Sequence, residues 1–179
     1  MSTFRIEPRI RKVSIDDDLL KYPDVPFYDQ SIFFTSFFGK LYFDFDGNKL
    51  KKLKHSISIS DDNCLNEYLS DFYLRLLNSI PKVIKGKKVE IGMTDSGNCF
   101  ILKPENDKIL ITFYYDLTSE ESNIKNFRIS LDQFVREAVR SAQEFVEKIV
   151  EINPKLENEK HISEIIKLKE KIQSKIKKP

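Results

Sequence analysis

Residues Ile129 to Val150 read as one long amphipathic helix whose start and buried face are both spelled out in the sequence. Ser130 followed three residues later by Gln133 is a capping-box pattern, in which each side chain satisfies an amide the first helical turn leaves open. Leu131, Phe134, Val135, Ala138, Val139, Ala142, Phe145, Val146, Ile149 and Val150 then fall on a single broad stripe. A stripe of that width requires an apolar surface to cover. The β-prone run Lys108 to Tyr115 just before it can supply one. Ala138 and Ala142 leave room for a second helix to approach closely.

That second helix is expected downstream of Asp61 and Asp62, which have the chemistry of N-caps. Leu65, Tyr68, Leu69, Phe72, Tyr73, Leu76, Leu77 and Ile80 keep helical spacing, with Pro81 at the end and Gly86 closing the exit. Strands are expected over Arg9 to Ile15, Ile32 to Phe38, Lys40 to Phe45 and Lys54 to Ile59, and again over Lys88 to Met93, Cys99 to Leu102 and Lys108 to Tyr115. Asp46-Gly47-Asn48, Asp95-Ser96-Gly97-Asn98 and Pro104-Glu105-Asn106-Asp107 provide turns between neighbours. Strands grouped together with helices arriving late indicate an α+β fold. The expected architecture is an antiparallel sheet of about five to seven strands carrying two long helices on one face. Phenylalanines 33, 34, 37 and 38 break strict alternation, which means either a core with two sides or an exposed apolar interface.

With 179 residues and 40% apolar content the chain can bury a sizeable core, and no Pro/Gly/Ser-rich linker divides it. Residues 1–153 are read as one domain and 154–179 as a C-terminal basic helix docked on it or extending from it. In that tail, isoleucines 162, 165, 166, 172 and 176 interleave with lysines, so a docked helix with its lysines in water is the simpler reading. A net charge of only +2 argues against general nucleic-acid binding. No stretch is long and apolar enough for a membrane span, and Cys64 and Cys99 have no metal-like spacing. A cytoplasmic protein without cofactor or membrane partner is expected, monomer or homodimer being left open.

The segment Leu41-Tyr42-Phe43-Asp44-Phe45-Asp46-Gly47-Asn48 resembles the first motif of haloacid-dehalogenase-type phosphatases. The resemblance implies Asp44 as nucleophile and Asp46 as acid/base beside Mg²⁺. It departs from the motif where Asn48 and Lys49 stand in place of a Thr followed by an apolar residue, and a hairpin with an Asp-Gly turn is the simpler reading. His55 and His161 are single, and Ser96 lacks the elbow of a nucleophilic serine.

A second resemblance runs through Phe113-Tyr114-Tyr115-Asp116 and Ile129-Ser130-Leu131-Asp132-Gln133-Phe134-Val135 to Ala138, Ser141-Ala142 and Phe145-Val146. This segment resembles the strand-to-capped-helix unit of small immunity proteins of bacterial toxin–immunity systems. It implies a compact α+β protein that blocks a cognate toxin in a stoichiometric complex. Under that reading the interface is expected on the polar sheet face and the N-terminal loops, through Asp16, Asp17, Asp18, Tyr22, Tyr28, Tyr42 and Asp44. Tyrosines would anchor the partner and carboxylates would steer a basic one. A phosphohydrolase using Asp44 and Asp46, and a nucleic-acid module using the C-terminal lysines, are the alternatives.

Overall fold

The structure, a computed structural model, describes residues 2–10, 38–51, 59, 60, 62–94, 96–115 and 122–176. Its first sheet is organised around strand β2 (Phe38–Phe45), which turns back through Asp46 at φ 57° and Gly47 at φ 83° into the short β3 (Asn48–Lys49). Positive φ at both central residues is the type I′ geometry that an Asp-Gly pair favours in a two-residue hairpin. On its other side β2 pairs antiparallel with β1 (Phe4–Ile10), placing Phe4 opposite Phe45, Ile6 opposite Phe43 and Pro8 opposite Leu41. Strand β4 (Cys64–Tyr68) completes the sheet against residues 38–42, and Ile59 forms an antiparallel bridge to Leu65.

The second sheet is a meander in the order β5 (Val89–Gly92), β6 (Cys99–Glu105), β7 (Lys108–Tyr114) and β8 (Ser122–Ser130). The fold is therefore α+β and antiparallel as expected, with eight strands among the described residues shared equally between two sheets where one sheet of five to seven was expected. Rings from both inner faces meet in one core. Phe43 lies 4.8 Å from Phe100, and Phe45 meets Phe127 edge-on at 5.3 Å.

Helix α1 (Leu69–Ile84) joins the sheets, and α2 (Leu131–Ile152) follows β8 directly. Tyr73 on α1 stacks on Phe145 of α2 at 4.9 Å, and its hydroxyl shares a 2.6 Å hydrogen bond with that of Ser141. Ala138 and Ala142 are fully buried, as the expected close approach of the helices requires. A 3-10 turn (Pro154–Asn158) leads into α3 (Lys160–Ile176). Ile162, Ile165 and Ile172 are buried, so the basic tail docks on the domain against α1 and α2.

Four local expectations are corrected. The first strand is Phe4–Ile10, and residues 11–15 of the expected strand lie outside the described ones, as do Phe33, Phe34 and Phe37 of the aromatic cluster and Lys54 to Ser58. Residues 64–68 are strand, not the first turn of a helix. Leu65 is buried, and the extended conformation gives the backbone of β2 a partner over residues 38–42. Asp62, expected as an N-cap, pairs with Lys40 instead, and Tyr68 takes the N-cap position with no side-chain bond. Pro81 sits inside α1, which ends three residues later in a Schellman closure: the amides of Gly86 and Lys87 bond the carbonyls of Val83 and Lys82. Strand β8 was not legible because Ile124 and Phe127, three apart, break alternation. A bulge at Asn126 (φ 51°) absorbs the extra residue.

Candidate recognition surface

Alternation along β1 and β2 sends Phe4, Ile6, Leu41, Phe43 and Phe45 inward and leaves Arg5, Glu7, Arg9, Lys40, Tyr42 and Asp44 on the opposite face. Cross-strand register sets these in rows. Arg5, Asp44 and Lys49 form one, and Glu7, Tyr42 and Cys64 the next. The half-buried Tyr42 ring is the centre of the face. The guanidinium of Arg9 lies 4.8 Å from the ring centroid and the ammonium of Lys49 lies 5.5 Å from it. Both are within the range in which a cation is attracted to the ring.

The surrounding charges are tied together. Glu7 pairs with Arg5 at 2.9 Å and with Arg9 at 3.7 Å, and Asp62 pairs with Lys40 at 3.0 Å and with Arg9 at 3.9 Å. Hydrogen bonds from the Ser60 hydroxyl and the Lys40 ammonium hold the Asp62 carboxyl well below the usual carboxylate range. Cys64 is buried beneath Arg9, whose Nη1 lies 3.4 Å from its Sγ, and burial pushes its thiol up despite that cation. Among the described residues the face is thus of mixed sign.

Of the residues predicted for partner binding, Tyr42 and Asp44 both lie on this face. Asp16, Asp17, Asp18, Tyr22 and Tyr28 lie outside the described residues. Asp44 has a structural duty: its Oδ1 accepts the Gly47 amide at 2.7 Å and so shapes the hairpin turn. Asp46 accepts from the amide and hydroxyl of Thr3 at 3.2 and 3.3 Å, fastening the chain start to the same turn. The strand bearing Asp44 is antiparallel to all its neighbours, and the chain after Asp46 returns as β3. The phosphatase motif needs a helix there. Among the described residues no three His, Cys, Asp or Glu side chains converge as a metal site.

Arg5, Glu7, Arg9, Lys40, Lys49 and Asp62 are members that sequence reasoning missed. The signal for the first three was the period-2 run Arg5, Glu7, Arg9, hidden because the strand was expected to begin at Arg9.

A second polar arrangement sits at the other end of β4. Glu67, only 3% exposed, accepts the Tyr68 amide at 2.7 Å and the Thr94 amide at 3.0 Å. Arg75 on α1 donates to the Gly92 carbonyl at 2.6 Å, so one acid and one base grip the exit of β5 two residues apart. Burial raises the Glu67 pKa, against the amide bonds and the nearby Arg75 charge.

Comparison with known proteins returns nothing similar: no family model, no curated protein and no solved structure matches this chain.

Proposed function

We propose that this chain is a binding protein, an immunity-type inhibitor that neutralises a cognate bacterial toxin in a one-to-one complex. Its recognition surface is the outer face of the first sheet. The observation that supports the reading is the placement of Tyr42, a large ring held between Arg9 and Lys49 in the middle of an ion-paired field. A tyrosine fixed in this way loses little freedom when a partner covers it, and the surrounding charges form the polar rim of an interface. The mixed sign of the rim fits a partner of mixed charge better than a strongly basic one.

The test uses the full chain as bait in cells of its source, followed by titration calorimetry and a growth assay with the captured partner. The expected result is one-to-one binding, protection of cells expressing the partner, and binding weakened about tenfold or more by Tyr42→Ala. A partner harmless to cells, or binding and protection untouched by Tyr42→Ala and Arg9→Ala together, would remove the proposal.

A further inference from the structure

The end of α1 carries Pro81-Lys82-Val83-Ile84-Lys85-Gly86-Lys87-Lys88, and every residue from Ile84 to Lys88 is exposed. Ile84, at 50% exposure, is the large hydrophobic side chain left in solvent among the described residues. The turn that presents it is rigid, since the Schellman closure fixes Gly86 at φ 74°. It is also open: a Cβ built on Gly86 would meet nothing within 4 Å.

Lysines near a helix end commonly serve its last carbonyls. Here the carbonyls of Lys82 and Val83 are bonded by the backbone amides of Lys85, Gly86 and Lys87, so the side chains are not needed for that. Lys88 pairs with Glu90 at 2.9 Å, while Lys82, Lys85 and Lys87 have no carboxylate partner among the described residues. A chain whose overall charge is +2 therefore concentrates uncompensated positive charge around its exposed aliphatic side chain.

We propose that this knuckle is a peripheral contact for an anionic lipid surface. Ile84 enters the headgroup layer, and Lys85 and Lys87, which follow it in the exposed turn, lie over the lipid phosphates. With every residue from Ile84 to Lys88 exposed, none of them encloses a small molecule. Nucleic-acid phosphates would satisfy the lysines but give the isoleucine nothing apolar to enter, and no aromatic ring stands in Pro81–Lys88 for a base to stack on. A headgroup layer with acyl chains beneath it matches both features. No helix among the described residues is long and apolar enough to cross a membrane, so the contact is one of surface adsorption. It lies on different elements from the Tyr42 face and does not depend on that reading.

The test is co-sedimentation of the full chain with vesicles of phosphatidylcholine, with and without phosphatidylserine, at low and high salt. Binding is expected only with phosphatidylserine and should weaken with salt. Ile84→Ser should lower the partition about tenfold, the scale of burying one aliphatic side chain. Lys85→Glu combined with Lys87→Glu should abolish it. These positions are exposed, and circular dichroism of each variant is the check that it folds. Absence of binding to phosphatidylserine vesicles overturns the proposal. Binding indifferent to Ile84→Ser or to the charge reversals also overturns it, by assigning adsorption to the lysines of α3. Tighter, Ile84-independent binding to single-stranded RNA in a mobility-shift assay would make the patch a nucleic-acid contact instead.

Discussion

The carboxylate of Glu137 on α2 accepts the backbone amide of Ile6 on β1 at 2.6 Å. Among the described residues β1 is the outer strand of its sheet, and Ile6 and Pro8 direct their backbone groups away from β2. Arg140 donates to the Ile6 carbonyl at 2.7 Å and Lys148 to the Pro8 carbonyl at 2.9 Å, while Pro8 has no amide to satisfy. The helix thus closes an edge that would otherwise template strand pairing with another chain. Arg140 also bonds Glu137 and Glu144, so the closing side chains hold one another in place.

Glu137→Ala should cost about 1–3 kcal/mol in chemical denaturation, the penalty for removing the acceptor of a hydrogen-bonded amide. Glu137→Gln retains an acceptor oxygen and should lose clearly less. Equal losses in the two variants would show that charge, and not closure of the edge, is what Glu137 provides.

Tyr73 couples α1 to α2 through both its ring and its hydroxyl. Tyr73→Phe deletes only the bond to Ser141 and leaves that buried hydroxyl without its partner, so a loss of about 1–2 kcal/mol is expected. Phe145→Ala, which empties the space beneath the ring, should cost about 3–5 kcal/mol. Equilibrium urea unfolding measures both. A Tyr73→Phe loss as large as that of Phe145→Ala would contradict the division of work between hydroxyl and ring.

Glu67 gives the stability a definite pH dependence. Its burial raises the folded-state pKa, so the native chain holds this proton more tightly than the unfolded chain does. The contribution to stability is complete below the ordinary glutamate pKa and is lost as pH rises through the folded-state value. Glu67→Gln cannot titrate but keeps an oxygen for the Thr94 amide. Wild type should therefore lose stability relative to the variant as pH is raised from about 4 toward 7. Thermal unfolding of both across that range is the measurement, and a slope of opposite sign would mean that the amide bonds outweigh burial.

What could be read in advance follows from how local each cause is. The stripe of α2, the Asp46-Gly47 hairpin and the buried isoleucines of α3 depend on side chains within a few residues of one another. Each was legible for that reason. Strand β4 was not, because Leu65 and Leu69 suit both helix and strand, and the choice is made by β2, more than twenty residues earlier. The Tyr42 face was legible only in part. Period-2 alternation placed Tyr42 and Asp44 together, but the approach of Arg9 depends on the register of β1, and the approach of Asp62 to Lys40 depends on the path into β4. Asp44 itself shows the limit of reading a motif from residue types: its carboxylate is engaged by an amide three residues on.

The start of α2 separates these two kinds of information most sharply. The Gln133 amide donates to the Ser130 hydroxyl at 3.1 Å, as the capping-box pattern predicted. The reciprocal half is absent: the Gln133 side chain instead donates to the Ser2 carbonyl at 2.9 Å, because residue 130 still belongs to β8, opposite Lys108. Ser130→Ala should therefore destabilise the whole domain by about 1 kcal/mol, the ordinary value of an N-cap. Gln133→Ala should cost the helix little and should instead release the chain start, raising amide exchange at residues 2–4. If Gln133→Ala destabilised the domain as much as Ser130→Ala and left exchange at those residues unchanged, the reciprocal bond would have to form in solution.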